Sequence, residues 1–88
     1  MKWNYTLKCG TELREAINSG DCMESLRLLD KAYQELKRAK IIDADDYERY
    51  TEDFWLYDED VTEDDVDFEL SNFYDLCDSL RVWIPFPF

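Results

Sequence analysis

Carboxylates have the most chemistry to offer in this chain. Residues 43–69 hold 14 of its 22 acids and a single basic residue, Arg49. Counted from Asp58, oxygen donors fall at loop places 1, 3, 5, 7 and 12, as Asp58, Asp60, Thr62, Asp64 and Glu69. That is the ligand spacing of a helix–loop–helix calcium site. Two places depart from it: Glu63 stands where the sharp turn needs glycine, and Asp65 where an aliphatic residue pairs the loops. In so acidic a chain such spacing arises easily by chance. Thr62 also reads as a helix cap and competes for the same residues. Calcium binding is therefore the alternative reading, and no metal or other cofactor is expected.

The same acids could serve general acid–base catalysis, which needs carboxylates set apart by their surroundings. No pair stands out. The chain has no histidine, so Ser-His-Asp and Cys-His sets are excluded, and it has no glycine-rich phosphate loop. An enzyme is not expected. Cys9, Cys22 and Cys77 are odd in number and widely spaced, with no Cys-x-x-Cys. Without histidine they make a poor zinc set. They read as small hydrophobes, with Cys22 and Cys77 on apolar helix faces. A reduced, cytoplasmic setting follows. The first residues lack the apolar run of a signal peptide, and no segment approaches the ~20 apolar residues of a membrane span.

What remains is charge as a surface. The net charge of −12 is divided unevenly: residues 1–40 carry +2 and residues 41–88 carry −14. Aromatic residues make up 16% of the chain, and Tyr47, Tyr50, Phe54, Trp55, Tyr57 and Phe68 are threaded through the acidic window. Disordered acidic segments lack such residues. A folded surface of fixed negative charge is therefore expected. It repels nucleic acid and anionic membranes and favours a basic protein. Duplex DNA carries one charge per ~1.7 Å of axis. Fourteen acids on 27 helical residues would give one per ~3 Å, within a factor of two. Solubility and helix capping are the plainer explanation of the same acids, and the further alternative is then an orphan structural domain with no ligand.

The elements that position these groups follow from periodicity. Trp3, Tyr5, Leu7 and Cys9 alternate with polar residues, as in a strand that Gly10 ends. Thr11 is expected to cap a short helix with Leu13, Ala16 and Ile17 inward, closed by Gly20. Asp21 with Glu24 resembles a capping box for a second helix, whose stripe is Cys22, Leu26, Leu29, Tyr33 and Leu36. Asp43 caps a third, with the stripe Tyr47, Tyr50, Phe54 and Tyr57. Residues 58–61 form a loop. Thr62, with Asp65 in the reciprocal place, caps a fourth with the stripe Val66, Leu70, Phe73, Cys77 and Leu80. Charges are expected to face outward from both stripes. Val82-Trp83-Ile84 is strand-prone, and Pro85 and Pro87 forbid helix beyond it. The apolar end, Trp83-Ile84-Pro85-Phe86-Pro87-Phe88, closes a small core or serves as a docking or membrane-facing tail. The fold class is mainly α (α+β): one domain over 1–88, with about four helices and short terminal strands able to pair. A chain of 88 residues buries about 60–65% of its extended surface and can fold alone.

Two segments, Asp46-Tyr47-Glu48-Arg49-Tyr50 and Phe73-Tyr74-Asp75-Leu76-Cys77-Asp78-Ser79-Leu80, carry a resemblance in character. The chain resembles the short, acidic, aromatic-rich accessory proteins of phages and conjugative elements of Gram-positive bacteria. Within that class, anti-restriction and anti-CRISPR inhibitors use acidic surfaces in place of DNA. The resemblance implies a DNA mimic that inhibits a DNA-binding protein, and it transfers no site residue. On the sequence itself, Asp45, Glu48, Glu52, Asp53, Asp58, Asp60, Asp64 and Asp67 would supply the negative field. Trp55 and Tyr57 would be the aromatic anchors, because aromatic residues are enriched at binding hot spots.

Overall fold

The two ends of the chain meet. The structure, a computed structural model, describes residues 3–58 and 60–84, with only the backbone of Trp55. Strand β1 (Tyr5–Thr6) pairs in parallel with β2 (Val82–Trp83), Tyr5 facing Val82 and Thr6 facing Trp83. The Asn4 N–H donates to the Arg81 carbonyl at 2.7 Å and the Leu7 N–H to the Trp83 carbonyl at 2.8 Å. A parallel pair needs a crossover, and here every described helix lies in it. The strand alternation expected from residue 3 to residue 9 yields a ladder of two residues. The rest of that segment serves packing: Leu7 and Cys9 are buried, while Trp3 is exposed.

Helix α1 (Gly10–Ser19) starts one residue before the expected Thr11 cap. Its N-cap is Cys9, which has no side-chain capping bond. Glu35 of α2 (Cys22–Arg38) instead holds the backbone just ahead of the helix, from across the fold. Its Oε2 accepts the Lys8 N–H at 2.6 Å and its Oε1 the Cys9 N–H at 3.1 Å, and Oε2 also accepts the Tyr5 hydroxyl at 2.7 Å. One carboxylate thus ties strand, helix start and central helix together. Gly20, at φ 78°, ends α1 in the left-handed conformation that glycine adopts without strain.

Helix α2 is central and packs against α1, α3 (Ala44–Thr51) and α4 (Glu63–Leu80). This explains why it buries more than the expected stripe. Leu26, Leu29, Tyr33 and Leu36 are inside, and so are Ser25, Leu28 and Ala32, whereas Cys22 is half-buried. Asp21 accepts the Glu24 N–H at 3.1 Å. The expected return bond is replaced, because the Glu24 carboxylate takes Arg27 instead. The helix ends in a left-handed Lys40, with Ile41 N–H on the Leu36 carbonyl at 2.9 Å and Lys40 N–H on that of Lys37 at 3.0 Å. This is a Schellman closure built without glycine.

Asp43 caps α3 as expected, its Oδ1 accepting the Asp46 N–H at 2.7 Å. The α-helix stops at Thr51, and a 3-10 helix (Glu52–Leu56) carries the rest of the expected third helix. Thr62 and Asp65 form a reciprocal capping box on α4, with bonds of 3.3 and 3.1 Å. The core is one cluster reaching from Leu7 to Val82. Tyr33 is its aromatic hub: it lies 4.9 Å from Phe73 edge-on, 5.8 Å from Tyr50 stacked, and 6.0 Å from Phe54. Beside it, Asp30 of α2 holds α3 by accepting the Tyr47 hydroxyl at 2.7 Å.

Candidate acidic binding surface

Helix α3 sets Asp45 and Glu48 at i and i+3 of its outer side, and Glu52 opens the 3-10 helix that continues it. Asp53 follows on the 3-10 helix, Asp58 and Asp60 on the loop, and Asp64 and Asp67 on the first turns of α4. All eight are exposed. Asp58 also shapes its loop, its Oδ1 accepting the Asp60 N–H at 2.9 Å. Among the described residues the ion pairs are Arg27–Glu24, Lys31–Glu12 and Arg49–Asp46, and none of the eight takes part. Asp43, Thr62 and Asp65 are occupied with capping, and Glu63 and Asp64 lie in the first turn of α4, where acids suit the dipole. Local helix chemistry accounts for those acids. It does not account for Glu48, Glu52, Asp53 or Asp67.

The acids do not form the continuous line of charge that 27 helical residues would give. The α-to-3-10 change after Thr51 and the turn before Thr62 break that line into a patch spread over two helices and a loop. The anchors also differ. The Trp55 side chain lies outside the described residues. Tyr57 is half-buried and packs against the core rather than standing free. The exposed apolar side chains of this region are Leu56 (79% exposed) and Phe68 (60%). Phe68 was legible in principle, since it falls off the Val66-Leu70-Phe73 stripe. Leu56 was not, because its exposure follows from the 3-10 turn. At the other end of the molecule, Trp3 and Trp83 lean together, ring centres 5.3 Å apart, with Trp83 exposed. Phe86 and Phe88 of the apolar tail lie outside the described residues.

One acid turns inward, against the expectation that charges face out. Glu69 is only 4% exposed. Its Oε2 is buried with no hydrogen-bond partner among the described residues. Burial pushes its carboxyl above the ordinary range. Asp53 and Asp65 add to that push, while Asn72 and Tyr57, the polar side chains beside it, oppose it. Tyr57 is itself pushed up, first by burial, then by Glu69, Asp65 and Asp53. Acids from the 3-10 helix and from α4 therefore converge around one tyrosine. Glu35 behaves oppositely. Burial would raise it, but the Lys8 N–H, the Tyr5 hydroxyl and Cys9 outweigh that and hold it below the ordinary range. Burial pushes the Cys77 thiol up to about 12, and burial together with Glu35 does the same for Cys9. Both stay protonated and unreactive at neutral pH, as packing thiols do.

The calcium set is not assembled. Thr62 spends its hydroxyl on the Asp65 N–H, Glu69 faces the core, and residues 63–69 are helix, not loop. Among the described residues no group of three or more acids or cysteines is placed to hold a metal ion. No described helix is long and apolar enough to cross a membrane. No family model matches the chain, and neither a curated protein nor a solved structure is found similar to it.

Proposed function

We propose that this protein is a non-catalytic binding module that presents the acidic face of α3, the 3-10 helix, the loop and the start of α4 to a basic protein. In the sharper form of this reading the partner is a DNA-binding protein and the face takes the place of DNA, as the resemblance to mobile-element inhibitors implies. The supporting observation is that eight exposed acids make no ion pair among the described residues. Crowding like charges lowers the stability of the compact state. Helix capping accounts for only part of that arrangement.

The test is competition. A basic DNA-binding domain is bound to a labelled duplex, and the protein is added at 50 and 200 mM salt. The expected outcome is displacement of the duplex, with affinity falling roughly a hundredfold between the two salt levels if about four charge pairs form. A variant with the eight acids changed to Asn and Gln should no longer displace it. Displacement that ignores salt, or that survives neutralisation, would refute the proposal.

A further inference from the structure

A cleft of ≈ 440 Å³ opens between α3 and α4. Tyr33 of α2 lies at its base. Tyr50 and Asp53 line one side, and Glu69, Asn72 and Asp75 line the other. Glu69 is the unusual member. Its buried Oε2 has no hydrogen-bond partner among the described residues. Ionised, it is an acceptor left unmatched in a place where such groups are nearly always paired. The chain's own cation comes close without reaching it. Arg49 also lines the cleft, but its guanidinium is bound to Asp46 and lies 5.5 Å from the centre of the Tyr50 ring.

We propose that this cleft is a guanidinium pocket, which takes an arginine side chain of the partner between Tyr50 and Glu69. This rests on the acidic-surface reading and gives it a focus. The donor missing at Glu69 is an N–H, and a guanidinium carries five in a planar fork that matches a carboxylate. Asp53 and Asp75, both exposed, add negative charge at the mouth, and the Asn72 carboxamide offers a further acceptor. Tyr50 is stacked on Tyr33 and already carries the Arg49 guanidinium over its ring, so the partner's arginine would take the place of Arg49 there. A pocket part-way into the fold, ringed by exposed acids, is the geometry in which one buried arginine anchors an otherwise salt-sensitive contact.

The probe is N-acetyl-arginine methylamide, followed by NMR of the whole chain, with the citrulline analogue as the uncharged isostere. The expected result is a saturable shift of the Glu69, Asn72 and Tyr50 signals, with a dissociation constant on the order of 1 mM, as suits so small a ligand. Citrulline should give none. Glu69→Gln should weaken binding roughly tenfold, the loss expected when a charge-assisted bond becomes neutral. Asn72→Arg, one helical turn from Glu69, should fill the pocket from within and abolish probe binding even if Glu69→Gln folds poorly. The combined Asp58→Asn, Asp60→Asn, Asp64→Asn, Asp67→Asn variant should keep probe affinity within about threefold, since those acids lie outside the cleft. Equal binding of citrulline, unchanged binding by Glu69→Gln, or no saturable shift would overturn the pocket and assign the Glu69 oxygen to a buried water. Displacement of a duplex that persists beside such a result would sink the pocket alone, while loss of displacement with probe binding intact would sink the wider reading alone.

Discussion

Two glutamates on facing helices show how position decides what a carboxylate does. Glu35 accepts three hydrogen bonds and titrates low; Glu69 leaves one oxygen without a partner and titrates high. Their effects on stability run in opposite directions with pH. For Glu69 the folded state holds its proton more tightly than the unfolded chain. Its ionisation costs nothing below the ordinary carboxylate range and destabilises as pH rises through the raised value. Glu69→Met removes both the charge and the unmatched oxygen at similar volume. It should raise stability at pH 7 by about 1 kcal/mol and flatten the pH profile above the ordinary carboxylate range, as read by urea melts at several pH values. For Glu35 the stabilisation is present above the ordinary carboxylate range and is lost as pH falls through the lowered value. Glu35→Gln should cost about 1–2 kcal/mol at pH 7, discounted for its partial exposure, with the deficit shrinking toward pH 3.

At the scale of elements, caps decide where each helix begins and ends. Asp21, Asp43 and Thr62 all bond the N–H three residues on, as their types and spacing predicted. The exception is α1: Thr11 lies one residue inside it, Cys9 makes no side-chain cap bond, and Glu35 holds the two residues ahead of the helix. No local signal could show that, since Glu35 is 27 and 26 residues from Lys8 and Cys9. The end of α2 was equally silent. Lys40 sits at φ 63° in the position that glycine favours. Lys40→Gly should relieve the left-handed strain and add about 0.5–1 kcal/mol, a rise of roughly 3–6 °C in a thermal melt. A neutral or negative result would mean that the added chain entropy of glycine cancels the relief.

For the whole molecule, the governing fact is a charge of −12 on a body with principal extents of 38 × 32 × 18 Å. Most acids of the second half are exposed, and Arg49 is already paired to Asp46. Monovalent salt should therefore raise the melting temperature by several degrees between 10 and 200 mM, as the Debye length falls from about 30 Å to below 10 Å. Sodium, potassium and choline chlorides should act alike. A rise specific to calcium at matched ionic strength would instead restore the Asp58–Glu69 reading.

The sequence by itself determined the helices, the parallel stripes that bury them, the caps at Asp21, Asp43 and Thr62, and the exposure of the eight acids. These follow from spacings of three and four residues, which is the range over which a helix reports on itself. The terminal strands were legible as strands, and their pairing was open; only the fold set it parallel and brought residue 5 beside residue 82. Tertiary structure alone decided that Glu35 holds the backbone leading into α1, that α3 gives way to a 3-10 turn exposing Leu56, and that Glu69 is drawn inside beside Tyr57. Each of those depends on what a neighbouring helix presents at that point. A carboxylate's charge state and role are set by the donors and dielectric around it, and those are assembled only when distant segments meet.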